Sequence, residues 1–257
     1  MTQHSSWSGL VSVDDTALYV TDTGGSGRPV IYLNGAYADQ SHFRKVIAGL
    51  GDGYRHIAYD ERARGKSRTS ADYSFEACLR DLDAVLAARG VTEAPILVGW
   101  SYGGILGWHF ADRHPERVAG VVVVDSFPIG LTGPEGAARI RKLFRRMRFI
   151  LPLVSRFGLS ARMSVDQHAD VNIEVNEISA ASVPVLLRAT CPVHFVLATG
   201  DSLGSGGGEM DEGRKVLDPI VAANPNVRIS AKVPSNHSKI LRNDSPAVVR
   251  AVRELPV

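Results

Sequence analysis

Apolar runs of strand length alternate with amphipathic stretches of helical length along most of this chain. The pattern predicts two short strands within residues 9–22, further strands at 29–33, 55–60, 94–98, 118–125, 192–199 and 227–233, and helices at 43–50, 75–89, 102–113 and 214–223. A last helix is predicted to open with Ser245 as N-cap and Pro246 at its first position. Such alternation is typical of a mostly parallel sheet that is covered by helices on both faces and carries its site at the carboxyl ends of the strands.

The alternation stops after the unbroken β-branched run that ends at Asp125. From Ser126 to Cys191 the pattern indicates only helices and loops, and it begins with several prolines and glycines. We therefore predict a core domain formed by residues 1–125 and 192–257, with residues 126–191 inserted as a small helical cap.

Two segments match the pattern G-x-S-x-G, at residues 99–103 and 200–204. A predicted strand leads into the first match and a predicted helix follows it, which is the context of a nucleophile elbow. The second match is followed by Ser205 and three glycines, which start a helix poorly. Ser101 is therefore the predicted nucleophile, and Ser202 is interpreted as a loop residue.

With this elbow, the order of strands and the inserted segment, the chain resembles the α/β-hydrolase superfamily over nearly its whole length. Asn34-Gly35 stands where many members carry His-Gly, residues 59–67 are similar to the Asp-x-Arg-Gly-x-Gly-x-Ser block, and His237 follows the last strand. The resemblance implies an eight-stranded, mostly parallel sheet with the cap after the sixth strand. It also implies catalytic residues in the order nucleophile, acid, histidine.

A serine hydroxyl needs a base within hydrogen-bond reach and a third group that fixes the imidazole. His237 is the candidate base, because the resemblance places the catalytic histidine in that loop. For the acid, two positions remain open: Asp125, at the strand end before the cap, and Asp201, after the next strand. Glu209 and Asp211 are further alternatives.

The resemblance places the oxyanion hole at two backbone amides, those of Ala36 and Tyr102. Asn34 replaces the histidine that normally braces the oxyanion loop, and an amide side chain can make those hydrogen bonds only in part. Neither a metal nor an organic cofactor is expected.

In the cap, Ile140, Leu143, Phe144 and Met147 fall at helical spacing. The positions between them are crowded with cations, namely Arg139, Arg141, Lys142, Arg145, Arg146 and Arg148. This helix is interpreted as a solvated outer face, as a docking surface for an acidic carrier or coenzyme A, or as a weak membrane-surface contact. The candidate substrate-binding residues are Tyr37, Trp100, Phe127, Phe144 and Met147.

Composition and charge exclude several other classes of protein. With 257 residues and 44% hydrophobic content, the chain fits one domain with an insertion. The net charge of +2 is too small to indicate nucleic acid, and Cys78 and Cys191 have no metal-binding spacing. We expect no signal peptide, no stable membrane insertion and a cytoplasmic location.

These patterns favour a serine hydrolase that cleaves a carboxylic ester, lactone or thioester of a small-molecule acyl substrate through an acyl-enzyme on Ser101. The same fold hosts other chemistry. A non-hydrolytic enzyme of lyase or cofactor-free oxygenase type, and a ligand-binding protein with a vestigial site, are the alternative hypotheses.

Overall fold

The computed structural model describes residues 5–156, 160–200 and 208–256. Eight strands form one sheet in the order β1-β2-β4-β3-β5-β6-β7-β8. Their bounds are β1 Trp7–Val13, β2 Thr16–Asp22, β3 Arg28–Leu33, β4 Tyr54–Tyr59, β5 Ile96–Trp100, β6 Gly120–Val124, β7 Val193–Ala198 and β8 Val227–Val233. Only β2 pairs antiparallel with its neighbours β1 and β4, and every other pairing is parallel. The predicted eight-stranded, mostly parallel α/β fold is confirmed.

Ten α-helices accompany the sheet in the described part of the chain. Their bounds are α1 Arg44–Leu50, α2 Phe75–Ala88, α3 Tyr102–Arg113, α4 Gly133–Arg146, α5 Leu151–Arg156, α6 Val165–Ala180, α7 Val183–Leu187, α8 Gly208–Ala223, α9 Ile240–Asn243 and α10 Ser245–Arg253. Helices α4 to α7 lie between β6 and β7, in the segment predicted as a cap.

The sheet separates two apolar layers because successive strand residues point to opposite faces. On one face, Val122 and Val124 of β6 pack in a cluster with α1 and α10. On the other, Val121 and Val123 join a larger cluster that includes α2, α3 and the described end of α8. The β-branched run of β6 is fully buried on both faces, as a central strand requires.

Two predicted helix starts are wrong. Ser245 is the first residue of α10 and Asp244 occupies the N-cap, where its side chain makes no capping bond. The Asp244 carboxylate instead accepts hydrogen bonds from the amide and hydroxyl of Ser235. Helix α8 begins at Gly208 rather than near Arg214, and Gly213, within the added turns, packs closely against the ring of Phe127.

Candidate active site

The turn between β5 and α3 places Ser101 at the carboxyl edge of the sheet. Ser101 has φ 53° and ψ −116°, a left-handed conformation that is rare for residues other than glycine and that persists only where the surroundings impose it. Its amide donates to the carbonyl of Val124 at 2.9 Å, which fixes the turn to the neighbouring strand. The Ser101 hydroxyl has no hydrogen-bond partner in the described part of the chain.

The glycines on either side of Ser101 are required by close backbone contacts. A Cβ atom added to Gly99 would lie 2.2 Å from the carbonyl oxygen of Gly103, and one added to Gly103 would lie 2.1 Å from that of Leu33. The absence of a Cβ atom at Gly103 lets the start of α3 lie directly against the end of β3. The loop after β3 is thereby held beside the serine turn.

Asp125 and His237 form a hydrogen-bonded pair next to this turn. Asp125 directly follows Val124, which pairs with Trp100 in the sheet, so Asp125 and Ser101 leave adjacent strands at the same level. The buried Asp125 carboxylate accepts from the amide of Ala198 at 2.8 Å and binds His237 Nδ1 at 2.7 Å. With Nδ1 donating to the carboxylate, Nε2 is the nitrogen that accepts a proton in a neutral imidazole.

The loop that carries His237 is anchored at Ser235. The Gly200 amide donates to the carbonyl of Ser235 at 3.0 Å, and the Ser235 hydroxyl donates to Asp244. The His237 ring lies 5.5 Å from the ring of Trp100, which directly precedes Ser101. The structure therefore brings Ser101, Asp125 and His237 together at one edge of the sheet.

The resemblance names two backbone amides as an oxyanion hole, and both lack a partner among the described residues. Within residues 5–156, 160–200 and 208–256, the amides of Ala36 and Tyr102 have no hydrogen-bond acceptor. Tyr102 is the first residue of α3, where backbone N–H groups lack intrahelical partners and the helix dipole favours negative charge. The Ala36 carbonyl accepts a hydrogen bond from Arg64 Nε at 2.6 Å, and this bond fixes the loop after β3 to the loop after β4.

A buried carboxylate that the sequence patterns did not single out braces this loop. Glu61 accepts a hydrogen bond from the Asn34 amide at 2.8 Å and another from Asn34 Nδ2 at 3.0 Å. Asn34 Nδ2 also donates to the carbonyl of Tyr59 at 2.7 Å. Complete burial raises the pKa of Glu61 from 4.5 to about 7, although Arg64 and the Asn34 bonds act in the opposite direction. An acid at the end of a central strand, directly after Asp60, is the signal that could have revealed it.

Three of the candidate substrate-binding residues lie where the segment 126–191 meets the loop after β3. The ring of Phe144 in α4 lies 6.4 Å from that of Tyr37 and stacks on His168 at 5.6 Å. Tyr37 also accepts a hydrogen bond from Asn172 Nδ2 at 2.5 Å. Met147 packs on the small cluster that contains Phe144.

The other two are close to the catalytic candidates but deeply packed. Trp100 is buried between two imidazole rings, those of His42 and His237, at 5.5 Å from each. Phe127 belongs to the larger apolar cluster, and its ring leaves no room for a Cβ atom on Gly213 of α8.

Some candidates fall where the structure gives no description. Asp201 and Ser202 lie outside the described residues, and Glu209 and Asp211 belong to a stretch of α8 whose side chains are not described. In the described part, no group of three or more His, Cys, Asp or Glu side chains has the arrangement of a metal site. No helix there is long and apolar enough to cross a bilayer.

Comparison with known proteins places this fold in one family. Residues 28–155 match the family described as alpha/beta hydrolase fold. An esterase from Thermogutta terrifontis superposes with a TM-score of 0.74 at 21% identity, covering 97% of both chains. The chain belongs to the α/β-hydrolase superfamily, and the resemblance seen in its sequence is confirmed.

Relatives with curated names are similar over part of their length. The chain is 33% identical to the magnesium-chelatase 30 kDa subunit of Rhodobacter capsulatus over 68% of this chain and 62% of that protein. It is 32% identical to the mouse sn-1-specific diacylglycerol lipase ABHD11 over 40% of this chain and 34% of the lipase. The chain thus spans between about one third and two thirds of these relatives.

Proposed function

We propose that this protein is a serine hydrolase that cleaves a carboxylic ester, lactone or thioester through an acyl-enzyme on Ser101. The observation that carries the proposal is the 2.7 Å hydrogen bond between Asp125 and His237 at the sheet edge beside Ser101. Names that include a lipase and an esterase among similar proteins support the same class of reaction.

In the proposed mechanism, Ser101 Oγ attacks the carbonyl carbon of the substrate while His237 Nε2 takes its proton. The amides of Ala36 and Tyr102 donate to the oxyanion that forms, a contribution that water could not make without reorganising. His237 then protonates the leaving group. A water molecule, deprotonated by the same imidazole, attacks the acyl-enzyme and releases Ser101.

Asp125 is the proposed acid of this site, because its carboxylate orients Nδ1 and stabilises the imidazolium that forms during attack. Its burial and its second bond to the Ala198 amide keep it in one position. The segment 126–191 serves as the cap in this proposal, with Tyr37 and Phe144 forming the acyl side of the site.

The test is labelling with a fluorophosphonate, in which the serine oxygen displaces fluoride at phosphorus and the adduct is located by peptide mass. We expect the adduct on Ser101 in wild type and a labelling rate lower by about 10³-fold or more in Asp125→Asn. Ser101→Ala should remove the adduct while the free energy of unfolding changes by less than about 0.5 kcal/mol.

Asp201→Asn is the matched control for the acid and should label at the wild-type rate. A slow Asp201→Asn with a normal Asp125→Asn would transfer the acid role to Asp201. Absence of any serine adduct in the folded wild-type protein would refute the hydrolase mechanism and favour non-hydrolytic chemistry.

A further inference from the structure

The cap exposes a cluster of large apolar side chains. Leu143, Phe149, Ile150 and Leu153 are 54%, 76%, 55% and 57% exposed and lie within one continuous stretch of chain. The other large hydrophobic side chains that the structure describes as exposed, such as Leu10, are scattered along the sequence. Four exposed large apolar side chains within so short a stretch of chain are unusual on a soluble domain and mark a surface that contacts something else.

Cations surround these side chains. The six are Arg139, Arg141, Lys142, Arg145, Arg146 and Arg148, and all are exposed. Arg141 pairs with Asp170 at 2.8 Å, and within the described residues the other five make no ion pair. The Arg148 guanidinium lies 4.5 Å above the ring of Phe149, so charge and apolar surface are interleaved. We call this set of four apolar and six cationic residues the outer cap surface.

Helix α4, which carries Leu143 and five of these six cations, is fixed to the protein by its other side. Ile140 and Phe144 of α4 are buried in the small cap cluster with Leu151 and Ala169. The outer cap surface therefore combines the exposed side of α4 with exposed residues between Arg148 and Leu153, and both α4 and the start of α5 are already packed through Ile140, Phe144 and Leu151.

We infer that the outer cap surface docks on a bilayer whose headgroups are anionic. Anionic headgroups attract the unpaired cations, while the acyl boundary beneath them accepts leucine, isoleucine and phenylalanine side chains. Arginine suits this position because its apolar stem follows the hydrocarbon while its head remains in the polar layer. An acidic carrier protein or coenzyme A would satisfy the cations but would leave the four apolar side chains in water.

This inference is independent of the chemistry proposed for Ser101. It concerns contact with the membrane surface, since the described helices are too short or too polar to span it. The active-site side of α4 would face away from the bilayer, with Phe144 still against Tyr37.

The test is co-sedimentation with vesicles of phosphatidylcholine alone or with about one third phosphatidylglycerol. Wild type should bind the anionic vesicles, bind the neutral ones at least about tenfold more weakly, and lose affinity as salt rises. Two double variants separate the contributions. Phe149→Ser with Leu153→Ser should weaken binding to anionic vesicles at least about tenfold, and Arg145→Gln with Arg146→Gln should weaken it about tenfold and reduce the salt dependence.

The matched control is Leu10→Ser with Leu187→Ser, two leucines of 45% and 43% exposure outside the cap stretch, which should bind like wild type. Circular dichroism and urea unfolding verify that each variant is folded. Failure of folded wild type to bind anionic vesicles would overturn the inference. The inference would also be overturned if Phe149→Ser with Leu153→Ser bound anionic vesicles as tightly as wild type. Binding of coenzyme A or an acidic carrier protein without any association with vesicles would overturn it as well.

Discussion

The pKa of Glu61 gives a quantitative prediction about stability. Glu61 is fully buried beside Asn34 in the loop after β3, and burial raises its pKa from 4.5 to about 7. The groups that face it are the Arg64 guanidinium, the Asn34 amide groups and, further away, the side chains of Tyr59 and Tyr102. These groups do not offset the free-energy cost of a buried carboxylate. Glu61 therefore keeps its proton to a higher pH in the folded protein than in the unfolded chain.

Because the folded state binds the proton more tightly, this group stabilises the fold fully below pH 4.5, and the contribution is lost as pH rises through about 7. At about 1.4 kcal/mol for each pH unit, the interval from 4.5 to about 7 corresponds to about 3 kcal/mol. Glutamine is uncharged, has nearly the shape of the protonated acid and has no proton to lose, so Glu61→Gln lacks this pH dependence. The unfolding free energy of wild type should therefore fall relative to that of Glu61→Gln by about 3 kcal/mol over this range.

The measurement is urea unfolding followed by circular dichroism at several values between about pH 5 and pH 8, with both proteins in the same buffers. Glu116→Gln, at an exposed position, is the control and should run parallel to wild type at every pH. Parallel curves for wild type and Glu61→Gln would refute the reasoning, because they would mean that Glu61 titrates alike in the folded and unfolded states.

Two further predictions concern the scaffold of the site. Gly103→Ala should lower the free energy of unfolding by about 3 kcal/mol or more and slow labelling of Ser101, because the added Cβ atom meets backbone atoms. Gly107→Ala, whose nearest contacts are side-chain atoms at 3.1 Å or more, should lower it by less than about 1.5 kcal/mol. Equal losses of stability in urea unfolding would contradict this. Asp81→Asn should lower the free energy of unfolding by about 3 kcal/mol, because it weakens the fully buried ion pair with Arg62 at 2.8 Å. Asp83→Asn, on the same helix but in an exposed pair with Arg117, should lower it by under about 1 kcal/mol. Similar midpoints for these two variants would show that burial does not set the cost.

The order of elements could be predicted from the sequence because its signals are local. A β-branched run such as that ending at Val124 reports burial on both faces, and the glycines around Ser101 report a sharp turn between a strand and a helix. The eight strands and their flanking helices follow from such runs. Exact ends do not, as the N-cap at Asp244 shows, because side chains distant in sequence compete for the same groups.

The contacts inside the candidate site were decided by the tertiary structure. The sequence leaves Asp125 and Asp201 as alternatives for the acid. Asp201 lies outside the described residues, whereas the hydrogen bond from His237 to Asp125 joins residues 112 positions apart. The bracing of Asn34 by Glu61 depends likewise on two strands that pair in the sheet. Local patterns determine which residues form a strand, a turn or a helix, whereas which polar groups meet is determined only when the sheet assembles and removes their alternative partner, water.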